Sequence, residues 1–127
     1  MLFEEALAFE METVQGLAGK VYPSFIPGRS EPYMVYQSSE GLRTKTLGGY
    51  GNGKVVPCEL HVVVKEYSEL KHVVRSVIDV LLSFQGRIIG EDGPRVQEVT
   101  YEDPVEMYEE KAKLYRCSID FEVYFRE

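Results

Sequence analysis

The stretch that most limits what this chain can fold into is Leu114 to Phe125, LYRCSIDFEVYF. Tyr115, Cys117, Ile119, Phe121, Val123 and Phe125 alternate with Arg116, Ser118, Asp120 and Glu122. Successive side chains of a strand point to opposite faces, so this pattern specifies a strand with one apolar face and one polar face. Its twelve residues are long for a strand and predict a central place in a sheet. The apolar face needs a covering layer, and the chain offers two helices to supply it.

The first helix is predicted over residues 2–15. Phe3, Ala6, Leu7, Met11 and Val14 fall on one face of a 3.6-residue period, and Gly16 and Gly19 close it. Glu4, Glu5, Glu10 and Glu12 read as its solvated side. The second helix starts at Tyr67-Ser68-Glu69-Leu70, with Ser68 as the expected N-cap. Leu70, Val73, Val74, Val77, Leu81 and Phe84 make its apolar stripe, and Gly86 ends it.

Between the helices lie two strand-like runs, 32–37 and 55–65. In the second, Cys58, Leu60, Val62 and Val64 share the core face, and Pro57 marks an edge position or a bulge. Pro23 to Glu31 reads as a surface loop. Arg95 to Glu102 is a weaker strand with Val99 and Tyr101 on one face, and residues 105–113 read as a hairpin crossing. The sum is α+β, in the order α-β-β-α-β-β, with two helices on one face of a mixed, largely antiparallel sheet. At 127 residues this is one domain spanning 1–127.

Residues 41–54, GLRTKTLGGYGNGK, join the two strand-like runs that follow the first helix. They hold five of the eleven glycines, together with Arg43, Lys45 and Lys54, and no acid, in a chain of net charge −7. The stretch reads as a long, mobile, basic loop held out by the scaffold. Connections of this length in compact domains are usually functional or disordered. It is not a phosphate loop, because Gly53-Lys54 is followed by Val55 and a strand rather than by Ser or Thr and a helix. The segment Glu98 to Glu110 carries acids and no Lys or Arg, so opposite patches on one chain would permit head-to-tail contact between copies.

The other signals exclude more than they assign. Net charge −7 disfavours long-range attraction to nucleic acid or anionic membrane. No apolar run is long enough to span a bilayer, and the acidic N-terminus does not resemble a signal peptide, which predicts a cytoplasmic protein. Cys58 and Cys117 are then expected to be reduced and buried. Cys58 and His61 have metal-ligand spacing, but their odd offset sends them to opposite faces of a strand. His61 and His72 have no evident nucleophile, and the acids fall in turns and on outer faces, so no catalytic, cofactor or metal residues are assigned.

Val21-Tyr22-Pro23 and, after a loop, Pro32-Tyr33-Met34-Val35-Tyr36-Gln37 resemble the opening of the tail completion, or head–tail joining, proteins of long-tailed bacteriophages and prophages. Val62-Val63-Val64 running into Tyr67-Ser68-Glu69-Leu70 resembles that family's strand-to-helix junction, and 114–123 resembles its closing strand. The resemblance spans about residues 2–125. It implies an α+β fold shared with phage tail terminators and a structural, non-enzymatic role. The protein would be made in the bacterial host cytoplasm and end at the virion head–tail interface. It implies assembly as a ring, commonly hexameric, of a protein that can also be monomeric when free, and that meets the tail tube protein, a head-completion or connector protein and copies of itself. No membrane and no sequence-specific nucleic acid is among these partners. The assembly contacts are assigned from the residues instead: Arg43, Lys45, Leu47, Tyr50 and Lys54. The rival expectation is a small cytoplasmic enzyme or ligand-binding domain with its site under the 41–54 loop, which would need a deep pocket beneath Tyr50.

Overall fold

A computed structural model describes residues 2–24 and 31–126. Two long antiparallel strands make its spine: β4 (Gly49–Val64) and β7 (Leu114–Arg126), in register from Gly53↔Arg126 to Val64↔Tyr115. Each carries two shorter strands end to end along its outer edge. β2 (Tyr33–Ser38) pairs with the Cys58–Val63 half of β4, and β3 (Leu42–Thr46) with its Gly49–Val55 half. On β7 the same places are taken by β6 (Val105–Glu109), along Leu114–Ser118, and β5 (Arg95–Tyr101), along Phe121–Arg126. β1 (Val21–Pro23) adds to β2 in parallel, the one parallel pairing among the described strands. The sheet is therefore mixed and largely antiparallel, and the closing strand is central.

The helices α1 (Phe3–Met11) and α2 (Tyr67–Leu82) cover one face. Ala6, Leu7, Met11, Leu70, Val77 and Leu81 are fully buried against Leu60, Val62, Cys117, Ile119 and Val123, the alternate residues of the two spine strands. Burying a side chain of this kind contributes roughly 1.5–3 kcal/mol. The opposite face carries a smaller cluster, Tyr33, Val35 and Val63, overlaid by Tyr22 and Leu114.

Several expectations are corrected. The basic loop is not structureless: β3 and the start of β4 fold it into a β-hairpin. α1 ends at Met11, and Val14 and Leu17 reach the core from turns that continue to Gly16 and Gly19, both at positive φ. α2 begins at Tyr67 after Glu66, with no side-chain cap, so Ser68 lies inside the helix. Pro57 sits in a central strand. Its carbonyl accepts the Ser39 N–H (3.1 Å), so its missing N–H faces the side where β2 gives way to β3, and no bond to β7 is lost. A bulge between Val96 and Glu98 changes the parity of β5, burying Val96 and Val99 and leaving Tyr101 41% exposed. Of the loop expected over Pro23 to Glu31, residues 25–30 lie outside the described residues.

Glu10 is not on a solvated face. It is buried beneath the 87–90 turn, where its carboxylate accepts Arg87 Nη2 (2.7 Å), Arg87 Nη1 (3.2 Å) and the Gly90 N–H (2.8 Å). The Arg87 guanidinium holds this carboxyl below the usual range against the opposing effect of burial.

Candidate assembly interface

The hairpin is a projecting arm. β7 ends its pairing at Arg126↔Gly53, so residues 49–52 of β4 run past it with β3 as the neighbouring strand. A two-stranded ribbon gains little from burial, and here cross-strand pairs hold it. Thr46 faces Gly49 across the Leu47-Gly48 turn, with Gly49 at φ +112, a conformation that L side chains rarely adopt. The Gly48 N–H donates to Thr46 Oγ1 (3.3 Å). Lys45 faces Tyr50, its ammonium 5.2 Å from the ring centroid. Arg43 faces Lys54, so between these pairs Thr44 alone opposes Gly51, Asn52 and Gly53. Gly53 lies in this bulge because a Cβ there would come within 2.7 Å of both Thr44 Oγ1 and the Tyr124 hydroxyl.

Arg43 directly across from Lys54 is a like-charge pair, which alone would weaken the arm's base. Glu40 relieves it by accepting Lys54 Nζ at 2.7 Å, and that hydrogen bond holds the Glu40 carboxyl below its usual range. The Lys54 side chain is only 12% exposed. Of the five residues assigned from sequence, Lys54 is thus a strut at the arm's root. The other four are presented outward: Arg43 and Lys45 are exposed, Tyr50 is 69% exposed and Leu47, at the tip, is 110% exposed. Leu42, 80% exposed on the arm's other side, was not singled out in the sequence, where it reads as an isolated apolar residue among polar ones. The arm stands clear of the sheet: a Cβ at Gly48 or Gly51 would meet only Thr46 or Thr44, and one at Gly49 would meet nothing. Among the described residues, Tyr50 lines neither of the two concavities near the arm's root.

Two open concavities lie near its root. One, of about 800 Å³, runs between the start of α1, Lys54 and the 88–95 turn, with Leu2, Phe3, Ile88 and Phe125 on its walls. The other, of about 680 Å³, lies where β2, β4, β7 and β5 run side by side and is lined by Gln37, Glu59, Thr100, Glu102, Asp120 and Glu122, with no Lys or Arg among the described residues that line it. The acids of 98–110 are divided. Glu106 is hydrogen-bonded to Lys71 and Glu109 is ion-paired with Arg116 (2.7 Å), whereas Glu102 joins the second concavity.

Little here suggests covalent chemistry. His61 Nε2 lies 2.7 Å from Glu59 on the face opposite Cys58. Burial pushes the Cys117 thiol up to about 11 and the Cys58 thiol further still, so neither is a ready thiolate. Among the described residues no three His, Cys, Asp or Glu side chains converge as a metal site, and no helix is long and apolar enough to cross a membrane.

The fold has a counterpart of known structure. A chain from the virion of a native gene transfer agent particle superposes with TM-score 0.73 at 17% identity, over 98% of this chain and 95% of that one. No curated protein matches the sequence. The model of the family described as tail completion protein gp17 matches residues 9–126, nearly the whole domain from α1 to the end of β7, and the chain belongs to that family of structural tail proteins.

Proposed function

We propose that this protein joins tail to head by closing into a ring, six copies in the virion, at the tail end that faces the capsid connector. The observation that carries this reading is the arm: a basic hairpin with an apolar tip, held outside the core of an acidic protein. Exposed apolar residues rimmed by charge mark interaction sites. A surface that differs from the one it binds on the next copy generates a ring when the rotation closes. Membership of a tail completion family and the fold's occurrence in a gene transfer agent virion support the same role.

In this reading Arg43, Lys45, Leu47 and Tyr50 make the subunit and tail-tube contacts, and Lys54 fixes the arm's angle. The partners are further copies of the chain, the tail tube protein and a head-completion or connector protein. Assembly begins in the host cytoplasm and ends at the head–tail interface. Binding geometry performs the work and no reaction step is required. Reversing Arg43 and Lys45 together to Glu tests the proposal. Full heads and finished tails should accumulate apart while the isolated protein keeps its melting temperature. Normal yields of joined particles would overturn it.

A further inference from the structure

The arm's basic side and the acidic concavity answer one another. By register Arg43, Lys45 and Tyr50 share one side of the arm. Neither Arg43 nor Lys45 is in an ion pair among the described residues. The concavity occupies the half of the sheet's open face nearest the arm. The other half is overlaid by Tyr22 and Leu114, and the helices lie on the far side. Within it Glu59 stands directly across from Asp120, and Glu122 lies between Pro57 and Thr100. Like charges placed opposite one another destabilise a sheet. Among the described residues the one ion-pair contact to these carboxylates is that of His61 Nε2 with Glu59. A chain that keeps this arrangement gains from a cation supplied from outside.

The chain's own arm cannot supply it. Tyr50 and Glu59 belong to the same strand, and even with the bulge at 51–53 taking up two residues, seven extended steps separate them by roughly 23 Å. We infer that the arm of one copy lies on the open sheet face of the next, with Arg43 and Lys45 against Glu59, Glu102, Asp120 and Glu122. The Tyr50 hydroxyl is then within reach of the same carboxylates. The two surfaces lie on one chain but are not the same patch, so each contact leaves an arm and a face free for further copies. This names the subunit contact within the ring proposed above and rests on that reading.

The experiment mixes isotopically light and heavy full-length protein at high concentration. It applies a zero-length carbodiimide cross-linker and reads the mixed-isotope peptides by mass spectrometry, with association constants measured in parallel by sedimentation. Lys45 should join to Glu59, Glu102, Asp120 or Glu122 of another copy. Either K45E or E122K alone should weaken association at least about tenfold. The double variant K45E/E122K should recover most of the loss, which a merely misfolded protein would not do. Protein that stays monomeric, cross-links from Lys45 to other carboxylates, or absence of rescue would each overturn the contact. A ring at the tail end of particles whose Lys45 is linked elsewhere would overturn the contact and leave the ring. Normal head–tail joining in the Arg43 and Lys45 reversal would instead overturn the ring.

Discussion

Replacing Glu10 by Gln tests the clamp between α1 and the 87–90 turn. The carboxylate accepts two bonds from Arg87 and one from the Gly90 N–H. Gln has the same shape and one acceptor oxygen, so it keeps one side of this set and turns an N–H group toward a donor on the other. Hydrogen bonds to charged groups contribute roughly 1.5–3 kcal/mol each. The Arg87 side chain is 40% exposed, however, so water takes over part of what Arg87 loses, and the net cost falls to about 2 kcal/mol. A chain of 127 residues unfolds with an entropy of roughly 0.27 kcal/mol/K, so the melting temperature should drop by about 7 °C at pH 7. The pH dependence supplies a second readout. The folded carboxyl titrates below its unfolded value, so its contribution is present above the usual carboxylate range and is lost as the pH falls through the folded value. The gap between wild type and variant, followed by calorimetry, should therefore narrow as the pH drops below about 4.3. A variant melting within about 2 °C of wild type at pH 7, or a gap independent of pH, would mean that the Glu10 carboxylate does not clamp α1 to the turn.

Further outcomes follow from other positions. Gly93→Ala places a Cβ 2.3 Å from the Ile89 carbonyl oxygen and 2.8 Å from Ala6 Cβ, and should cost about 1–3 kcal/mol in urea unfolding. Leu47→Ser, at a side chain wholly in solvent, should leave the melting temperature within about 2 °C of wild type yet reduce joining of heads to tails. Cys58 and Cys117 are buried with raised thiol pKa values, so a chromogenic disulfide reagent at pH 8 should label neither in the native protein and both in urea.

What could be read from the sequence was whatever repeats locally. The alternation of Tyr115 through Phe125 placed β7 at the centre, and the Leu70–Leu81 stripe placed α2 on its apolar face. Three features escaped for separate reasons. Glu10 looks like its neighbours Glu5 and Glu12, because its partner Arg87 lies 77 residues away and no local pattern marks it. The arm looked like a loop because glycines in 48–53 carry no side chain to alternate, and its strand pairing depends on a bulge that a period-2 reading cannot follow. The bulge at Val96/Glu98 likewise shifted the face of β5, so that Val96 rather than Tyr101 joins the core. Of the assigned contact residues, Lys54 is the one that lies at the arm's root, bonded to Glu40, rather than out along the arm. Its neighbour across the strand and Glu40 fourteen residues before it decide where it points.

The most direct test of assembly through the arm is cryo-electron microscopy of the head-proximal tail end in particles that carry this protein. A closed ring of copies is expected at that end, with each 42–54 hairpin lying on the open sheet face of the adjacent subunit. Copies that form no ring there, or a ring whose hairpins all point into solvent, would contradict it.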